Sequence, residues 1–336
     1  MTSSRKYGKL FAMSRHTSVK QSIPKELRFT VQQFNDAFPT DDACLEHLKE
    51  KRMPGGVTHC LKCNQERKHH RVTGRPAYAC DYCGSMISPM AGTIFEKSST
   101  PLRLWYYAMY LMGSTRCGIS AKQIQRETGV TYKTAWRMFR QIRTLLSEDM
   151  QLEGDGVEID ETGFGGTSKR IGQAVKPKKT VFGMVERKGR VKAVVAKDRK
   201  KDTLLPIIKE YVLPASVIFS DEYPSYDDLT RHRNEYDHRR INHSAGVYVM
   251  GDVHTNTIEG FWSLIKRGIG GVYHQVSEKY LQSYLDEYSF RYNRRHSGNL
   301  IFHSILEKVS EKASLRPVPR DDQKPVASSP ALEEPF

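Results

Sequence analysis

Val157-Glu158-Ile159-Asp160-Glu161 alternates apolar and charged side chains and closes on two adjacent carboxylates, followed by Thr162-Gly163. Alternation with period two is the pattern of a strand buried on one face. The chain keeps this texture downstream. Thr180 to Val185 and Arg190 to Ala196 are β-rich runs joined by the polar turn Arg187-Lys188-Gly189. Leu204 to Val212 then has helical periodicity, and Val217-Ile218-Phe219-Ser220-Asp221-Glu222 is another strand that ends in carboxylates and is stopped by Pro224.

Three strands in a meander, a helix and a further strand is the order of a ribonuclease-H-like core: an α/β fold with a mixed sheet and flanking helices. In that arrangement the first and fourth strands lie side by side. Asp160 and Asp221 would then meet although 61 positions separate them. A third acid follows in His254-Thr255-Asn256-Thr257-Ile258-Glu259-Gly260-Phe261-Trp262-Ser263-Leu264-Ile265-Lys266-Arg267, where Ile258, Phe261, Trp262 and Ile265 mark one helix face. Glu259 and Lys266 are seven apart, two turns along one side, so Glu259 would face the two aspartates while Lys266 and Arg267 reach DNA nearby.

Three carboxylates with no Cys or His nucleophile beside them suit hard cations bound through oxygen, Mg2+ or Mn2+. Two such ions about 3.5–4 Å apart stabilise both the attacking and the leaving oxygen of a phosphodiester displacement. Singly these residues are ordinary, since strand-end aspartates are common and a helical Glu beside Lys is usually a solvated pair. Their order and combination give them weight.

Outward from this segment, four of the six cysteines form Cys60-x2-Cys63 and Cys80-x2-Cys83, with sixteen residues between the pairs. Two such turns facing each other supply the four thiolates that Zn2+ takes tetrahedrally, and Gly84 suits the positive φ of such a knuckle. Two disulfides are the alternative, but they need an oxidising compartment of which the sequence gives no sign. Arg67, Lys68, Arg71 and Arg75 between the pairs fit a ribbon that touches DNA as well as one held together by zinc alone. Cys44 and Cys117 stand outside the pattern and are expected as buried thiols. Ahead of the ribbon, Thr40 would cap a helix from Asp41 to about Lys51, with Ala43, Cys44, Leu45 and Leu48 inward and Pro54-Gly55-Gly56 ending it.

Between ribbon and acids, Ser99-Thr100-Pro101 opens a helix rich in Leu102, Trp105, Tyr106, Met109 and Tyr110, which Gly118 is expected to break. Ser120 can cap a short helix, Gly129 sits where a helix-turn-helix turns sharply, and Thr131 can cap a second helix with Ala135, Met138, Phe139, Ile142 and Leu146 on its apolar face. Lys133, Arg137, Arg140 and Arg143 fall largely elsewhere on that helix, placed to reach phosphates or base edges. A helical hairpin that only packs against the next domain would show the same pattern.

The combined motifs resemble bacterial insertion-sequence transposases of the ISXO-like group, with a zinc ribbon ahead of a DDE domain and related to the eukaryotic Merlin transposases. The resemblance runs from about Phe29 to Ile305. It is carried by the ribbon flowing into Ala91-Gly92-Thr93-Ile94-Phe95-Glu96, by Gly129-Val130-Thr131-Tyr132-Lys133-Thr134-Ala135-Trp136, and by Asp160-Glu161-Thr162 and Asp221-Glu222. Asn242-His243-Ser244, the stretch from His254 to Trp262, and Tyr284-Leu285-Asp286-Glu287 to Arg291-Tyr292-Asn293-Arg294-Arg295 complete it. It implies that Asp160, Asp221 and Glu259 are the catalytic acids and Lys266 the supporting basic residue. Asn256, 35 positions after Asp221, competes for the third ligand position, and His254 is a weaker candidate for positioning substrate. Leu61 stands where the family has Pro after the first cysteine. The implied partners are double-stranded DNA, as terminal inverted repeats and as target, and further copies of the chain on paired ends.

Composition agrees. The 336 residues carry 53 Lys+Arg against 38 Asp+Glu, a formal charge of +15 that favours a polyanionic partner. Leu102 to Met112 is the most apolar run; it contains Arg103 and is far short of a bilayer span, so a cytoplasmic, nucleoid-associated protein is expected. The expected division is a basic flexible arm over 1–28, a helix plus zinc ribbon over 29–98, a helix-turn-helix-like module over 99–150, the catalytic domain over 151–308 and a disordered Pro-rich tail over 309–336. Val276 to Arg295 reads as an amphipathic helix with Tyr280, Leu281, Tyr284, Leu285 and Tyr288 inward, and Arg291, Arg294 and Arg295 either facing DNA or solvated. The competing functional readings are a non-catalytic ribbon and helix-turn-helix regulator and a metal-dependent nuclease without strand transfer.

Overall fold

The computed structural model describes residues 24–115, 117–153, 156–165, 177–221, 223–231, 236–240 and 255–311. The basic arm up to residue 23, the tail from residue 312, Glu222, Asn242-His243-Ser244 and His254 lie outside them. In chain order the elements are α1 (Val31–Ala37), α2 (Asp41–Arg52), β1 (Val57–Cys60), β2 (Gln65–Arg71), β3 (Tyr78–Cys80), β4 (Met86–Ile87), α3 (Leu102–Ser114), α4 (Ala121–Thr128) and α5 (Tyr132–Leu145). There follow β5 (Val157–Phe164), β6 (Lys179–Glu186), β7 (Val191–Ala196), α6 (Lys201–Tyr211), β8 (Val217–Ser220), α7 (Asp227–Arg231), β9 (Asp237–Arg240), α8 (Asn256–Gly268), a π-helical turn Ile269–Tyr273, α9 (Glu278–Asn293) and α10 (Ile301–Glu311).

Helix starts follow their caps. The hydroxyls of Thr40, Ser120 and Thr131 accept from the amides of Ala43, Gln123 and Thr134 at 3.2, 3.1 and 3.3 Å, taking up one otherwise orphaned donor at each first turn. Gly129 ends α4 at φ 72°, a left-handed conformation that turns the chain into α5. α3 stops at Ser114, ahead of Gly118, where the Thr115 hydroxyl bonds back to Leu111 O at 3.1 Å. Cys44 and Leu48 are buried as expected, Ala43 is half-buried, and Cys117 is exposed rather than buried.

The ribbon is an antiparallel sheet in the order β1-β2-β3-β4. It does not stand apart from the helices. Phe34, Leu48, Tyr78, Ile87, Phe95, Trp105, Ile124 and Phe139 share one apolar cluster, so the regions expected as 29–98 and 99–150 are joined by a common core. α10 belongs to it as well. Ile301, Phe302, Ile305, Leu306 and Val309 pack there rather than on the sheet built from β5 to β9, which corrects the boundary drawn at 308. Phe302 lies among Phe29, Phe34, Phe38 and Tyr110, and α3 meets α10 so closely that a Cβ on Gly113 would stand 2.8 Å from Phe302 N.

The second sheet has the order β7-β6-β5-β8-β9, with β5–β7 antiparallel and β5, β8 and β9 parallel. Ile159, Phe182 and Met184 face α6 on one side; Val181, Val185 and Val191 face α8 and α9 on the other. α9 links the two cores. Its Glu287, fully buried, takes Arg143 of α5 at 2.7 Å and Arg291 at 2.7 Å, and Tyr273 after α8 packs on Phe139 and Tyr284.

Candidate active site and metal centre

The pleat of β5 sorts its acids. Glu158 and Asp160 face α8, where Trp262 Nε1 donates to Asp160 Oδ2 at 2.9 Å and the amides of Thr257 and Ile258 donate to Glu158 Oε2 at 2.8 and 3.0 Å. Glu161 points to the opposite face, toward Tyr226. Parallel pairing sets Val157 opposite Ile218 and Glu158 opposite Phe219, an offset of 61 that puts Asp160 level with Asp221 one residue past β8. Asp221 Oδ1 accepts from the Tyr223 amide at 3.1 Å. Glu259 projects from the first turn of α8, exposed, and Asn256, one turn earlier on the same side, is exposed too.

The electrostatics are those of acids held close. Burial pushes the Asp160 carboxyl up to about 6; the Trp262 hydrogen bond opposes this, and the charges of Asp221 and Glu259 add to it. Burial likewise pushes Glu161 up to about 7, against the Tyr226 phenol and with the charges of Asp221 and Asp160. Carboxylates that repel one another in a half-dry cleft are relieved by a hard cation, so an all-oxygen set of Asp160, Asp221 and Glu259 fits Mg2+ or Mn2+. Trp262 and the Glu161 amide both donate to the Asp160 carboxylate and hold its orientation. The three are not drawn to the spacing of a single ion: among the described residues only the four ribbon cysteines bring three or more ligand atoms within 4.8 Å of one another.

Those cysteines are thiols whose sulfurs lie 3.6 Å apart for Cys60 and Cys83 and 3.9 Å for Cys63 and Cys80. Four sulfurs about 2.3 Å from one zinc ion sit roughly 3.8 Å apart, so Cys60, Cys63, Cys80 and Cys83 fit Zn2+. Asn64 and Gly84, one residue past each pair, take φ of 52° and 66° and turn the two knuckles toward each other.

The basic residues divide. Lys133 and Arg140 are exposed on α5, and Tyr132 beside them is 42 % exposed with Lys122 Nζ 4.4 Å from its ring centre. Arg143 is not a DNA contact. It is 2 % exposed, sandwiched between Phe139 and Tyr284 at 3.6 and 3.3 Å and paired with Glu287. Arg137 is likewise committed inward, donating to the hydroxyls of Ser98 and Thr100 at 3.1 and 3.2 Å. Arg294 pairs with Glu148 and Arg295 bonds to Gly189 O, so these too serve the fold. Lys266 and Arg267 are exposed, and Lys266 lines a groove of about 380 Å3 with Lys178, Gly163 and Gly165.

Sequence reading passed over Glu158 and Trp262 as parts of the site. The signal for Glu158 was there, because a residue two before Asp160 on a strand shares its face.

Comparison with known proteins follows this division of the chain. Residues 151–293 match the ISXO2-like transposase domain and residues 39–86 the transposase zinc-ribbon domain. An uncharacterized protein in transposable element ISH50 of Halobacterium salinarum is 29% identical over 242 residues, 66% of this chain and 80% of that protein. An uncharacterized transposase-like protein of Haemophilus influenzae is 37% identical over 98 residues, 28% of this chain and 77% of that protein.

Proposed function

We propose that this chain, which belongs to the ISXO2-like transposases, binds the terminal inverted repeats of its own element, cuts there by metal-dependent hydrolysis and joins the freed 3′ ends to target DNA. The observation that carries the reading is the parallel register of β5 and β8, which levels Asp160 with Asp221, together with the Trp262 hydrogen bond that ties the helix of Glu259 to Asp160. The strand order β7-β6-β5-β8-β9 supports a ribonuclease-H-like core.

In this reading Asp160, Asp221 and Glu259 hold Mg2+ or Mn2+, which when bound polarises the phosphate and lowers the pKa of water. Asn256 stands beside Glu259 as the alternative third ligand; the carboxylate is favoured because its charge reaches Asp160. Water attacks the phosphorus, the P–O3′ bond breaks, and a 3′-hydroxyl and a 5′-phosphate result. That hydroxyl then attacks a target phosphodiester and displaces the target's own 3′ oxygen, with no covalent protein–DNA intermediate. Lys266 and Lys178 bind phosphates flanking the reacting one. Lys133 and Arg140, with the zinc-held ribbon, grip the repeat. Copies of the chain pair on the two ends. No described helix is long and apolar enough to cross a membrane.

Labelled repeat ends incubated with plasmid and Mg2+ or Mn2+ test the reading. Nicked ends and end–plasmid joints are expected, and Asp160→Asn or Asp221→Asn should abolish both while leaving end binding intact. Undiminished cleavage by either variant overturns the assignment. Cleavage without joints would make the chain a nuclease, and binding without cleavage a regulator.

A further inference from the structure

Behind the acids lies an ionic pair that belongs to neither the metal set nor the DNA faces. Glu158 is fully buried in β5. Its Oε2 accepts from the Thr257 and Ile258 amides, and its Oε1 from the Thr257 hydroxyl at 2.9 Å and from Arg187 Nε at 3.0 Å. These amides belong to the first turn of α8, whose own N-cap residue, Thr255, makes no side-chain capping bond. A carboxylate from a distant strand therefore caps the helix and meets the positive end of its dipole.

Arg187, on the turn after β6, stacks its guanidinium 3.8 Å from the centre of the Phe219 ring, in β8 two residues before Asp221. The stack is tight: a Cβ on Gly156 would meet Arg187 Cδ and Phe219 Cε2 at 3.0 Å each. One pair, its carboxylate fully buried and its guanidinium partly so, thus fastens together the elements that carry Asp160, Asp221 and Glu259. Such a pair adds little net stability, because desolvating the Glu158 carboxylate and most of the Arg187 guanidinium cancels most of their attraction, so its contribution lies in fixing geometry.

We propose that Glu158 and Arg187 are positioning residues that set the separation of the three acids and with it the affinity of the site for its divalent cations. The proposal rests on the reading of those acids as the metal set. Hydrogen-bonding groups that orient metal ligands typically contribute 10–100-fold in metal affinity or activity. The test uses the full zinc-loaded chain. Mn2+ binding is measured by calorimetry without DNA, and cleavage of labelled ends is measured against Mn2+ concentration. Glu158→Ala and Arg187→Met should raise the half-saturating Mn2+ concentration about tenfold in both measurements. Glu158→Gln, which keeps an acceptor for the two amides, should recover much of that loss, and end binding should be unchanged in all three. Should Glu158→Ala fail to fold, Glu158→Gln and Arg187→Met carry the test.

A lowered melting temperature with wild-type Mn2+ dependence in the folded variants would show a structural role only and overturn the proposal. Asp160→Asn, run beside them, separates the two levels. If it binds Mn2+ and cleaves like wild type, the metal reading itself falls. If it loses both while the Glu158 and Arg187 variants keep both, only the positioning role falls.

Discussion

Adding one methyl group at Gly183 should disarm Asp160 without touching it. Gly183 is paired across from Asp160 in the β5–β6 ladder, and the Trp262 indole occupies the space a side chain there would take. A Cβ there would stand 2.4 Å from Trp262 Cζ2 and 2.5 Å from Cη2, with Ile258 Cδ1 at 2.9 Å. Ordinary contact begins at 3.4 Å, so the ring must retreat by about 1 Å. The Trp262–Asp160 hydrogen bond starts from 2.9 Å, so a retreat of that size stretches it past hydrogen-bonding range. Overpacking of this kind costs about 1–3 kcal/mol of stability, and a 1 Å misplacement in a catalytic constellation can cost about 10²-fold in rate. Gly183→Ala should therefore fold, shift its tryptophan emission, and cleave labelled ends roughly 100-fold more slowly while binding them normally. Trp262→Phe, which keeps most of the ring but loses the N–H, should slow cleavage through the same lost bond without the clash. Cleavage by Gly183→Ala at the wild-type rate, with unaltered tryptophan emission, would refute the reasoning.

The two classes of arginine on α5 should separate cleanly. Arg143→Ala removes one of the two guanidinium partners of the buried Glu287, leaving Arg291, and should lower stability in urea titration by less than the about 3–5 kcal/mol of a fully unpaired buried charge, whereas Arg140→Ala or Lys133→Ala should leave stability alone and reduce the salt slope of end binding by about 1 each. Cys60→Ser, or stripping with a chelator, should release one zinc per chain by metal analysis and abolish end binding together with the ribbon's fold. His238, bonded to Ser220 at 2.8 Å, is held down to about 4 by burial and then by Arg240. Its folded value lies below the ordinary 6.5, so the unfolded chain takes up the proton first. Urea stability should be fully present above about pH 6.5 and fall as pH drops toward 4, a slope that His238→Gln should reduce.

What could be read from the chain was what is local. The cap hydroxyls of Thr40, Ser120 and Thr131, the left-handed Gly129 and the period-two strand before Asp160 each need only a few neighbours. The cysteine spacing fixed the metal type because zinc constrains four sulfurs tightly. The two acids 61 positions apart required an assumed topology, which the β5–β8 pairing supplies. Arg143 shows where local reading ends. Its helical position differs little from that of Arg140, and only α9, more than a hundred residues later, buries it. The Glu158 cap on α8 is equally non-local, since nothing near Thr255 in sequence announces a missing cap. Nor could the helix at the far end of the chain reveal that its partner is α3 and not the sheet it follows.

That last partnership has a temporal side. Phe302 and its neighbours fill the space between α1 and α3, so the core begun at Phe29 stays open until the ribosome has released them. From Leu146 to Ile301 is 155 residues, roughly 8–30 s of translation at about 5–20 residues per second. The unit proposed to grip DNA thus completes its core last, after the unit proposed to cut has been made.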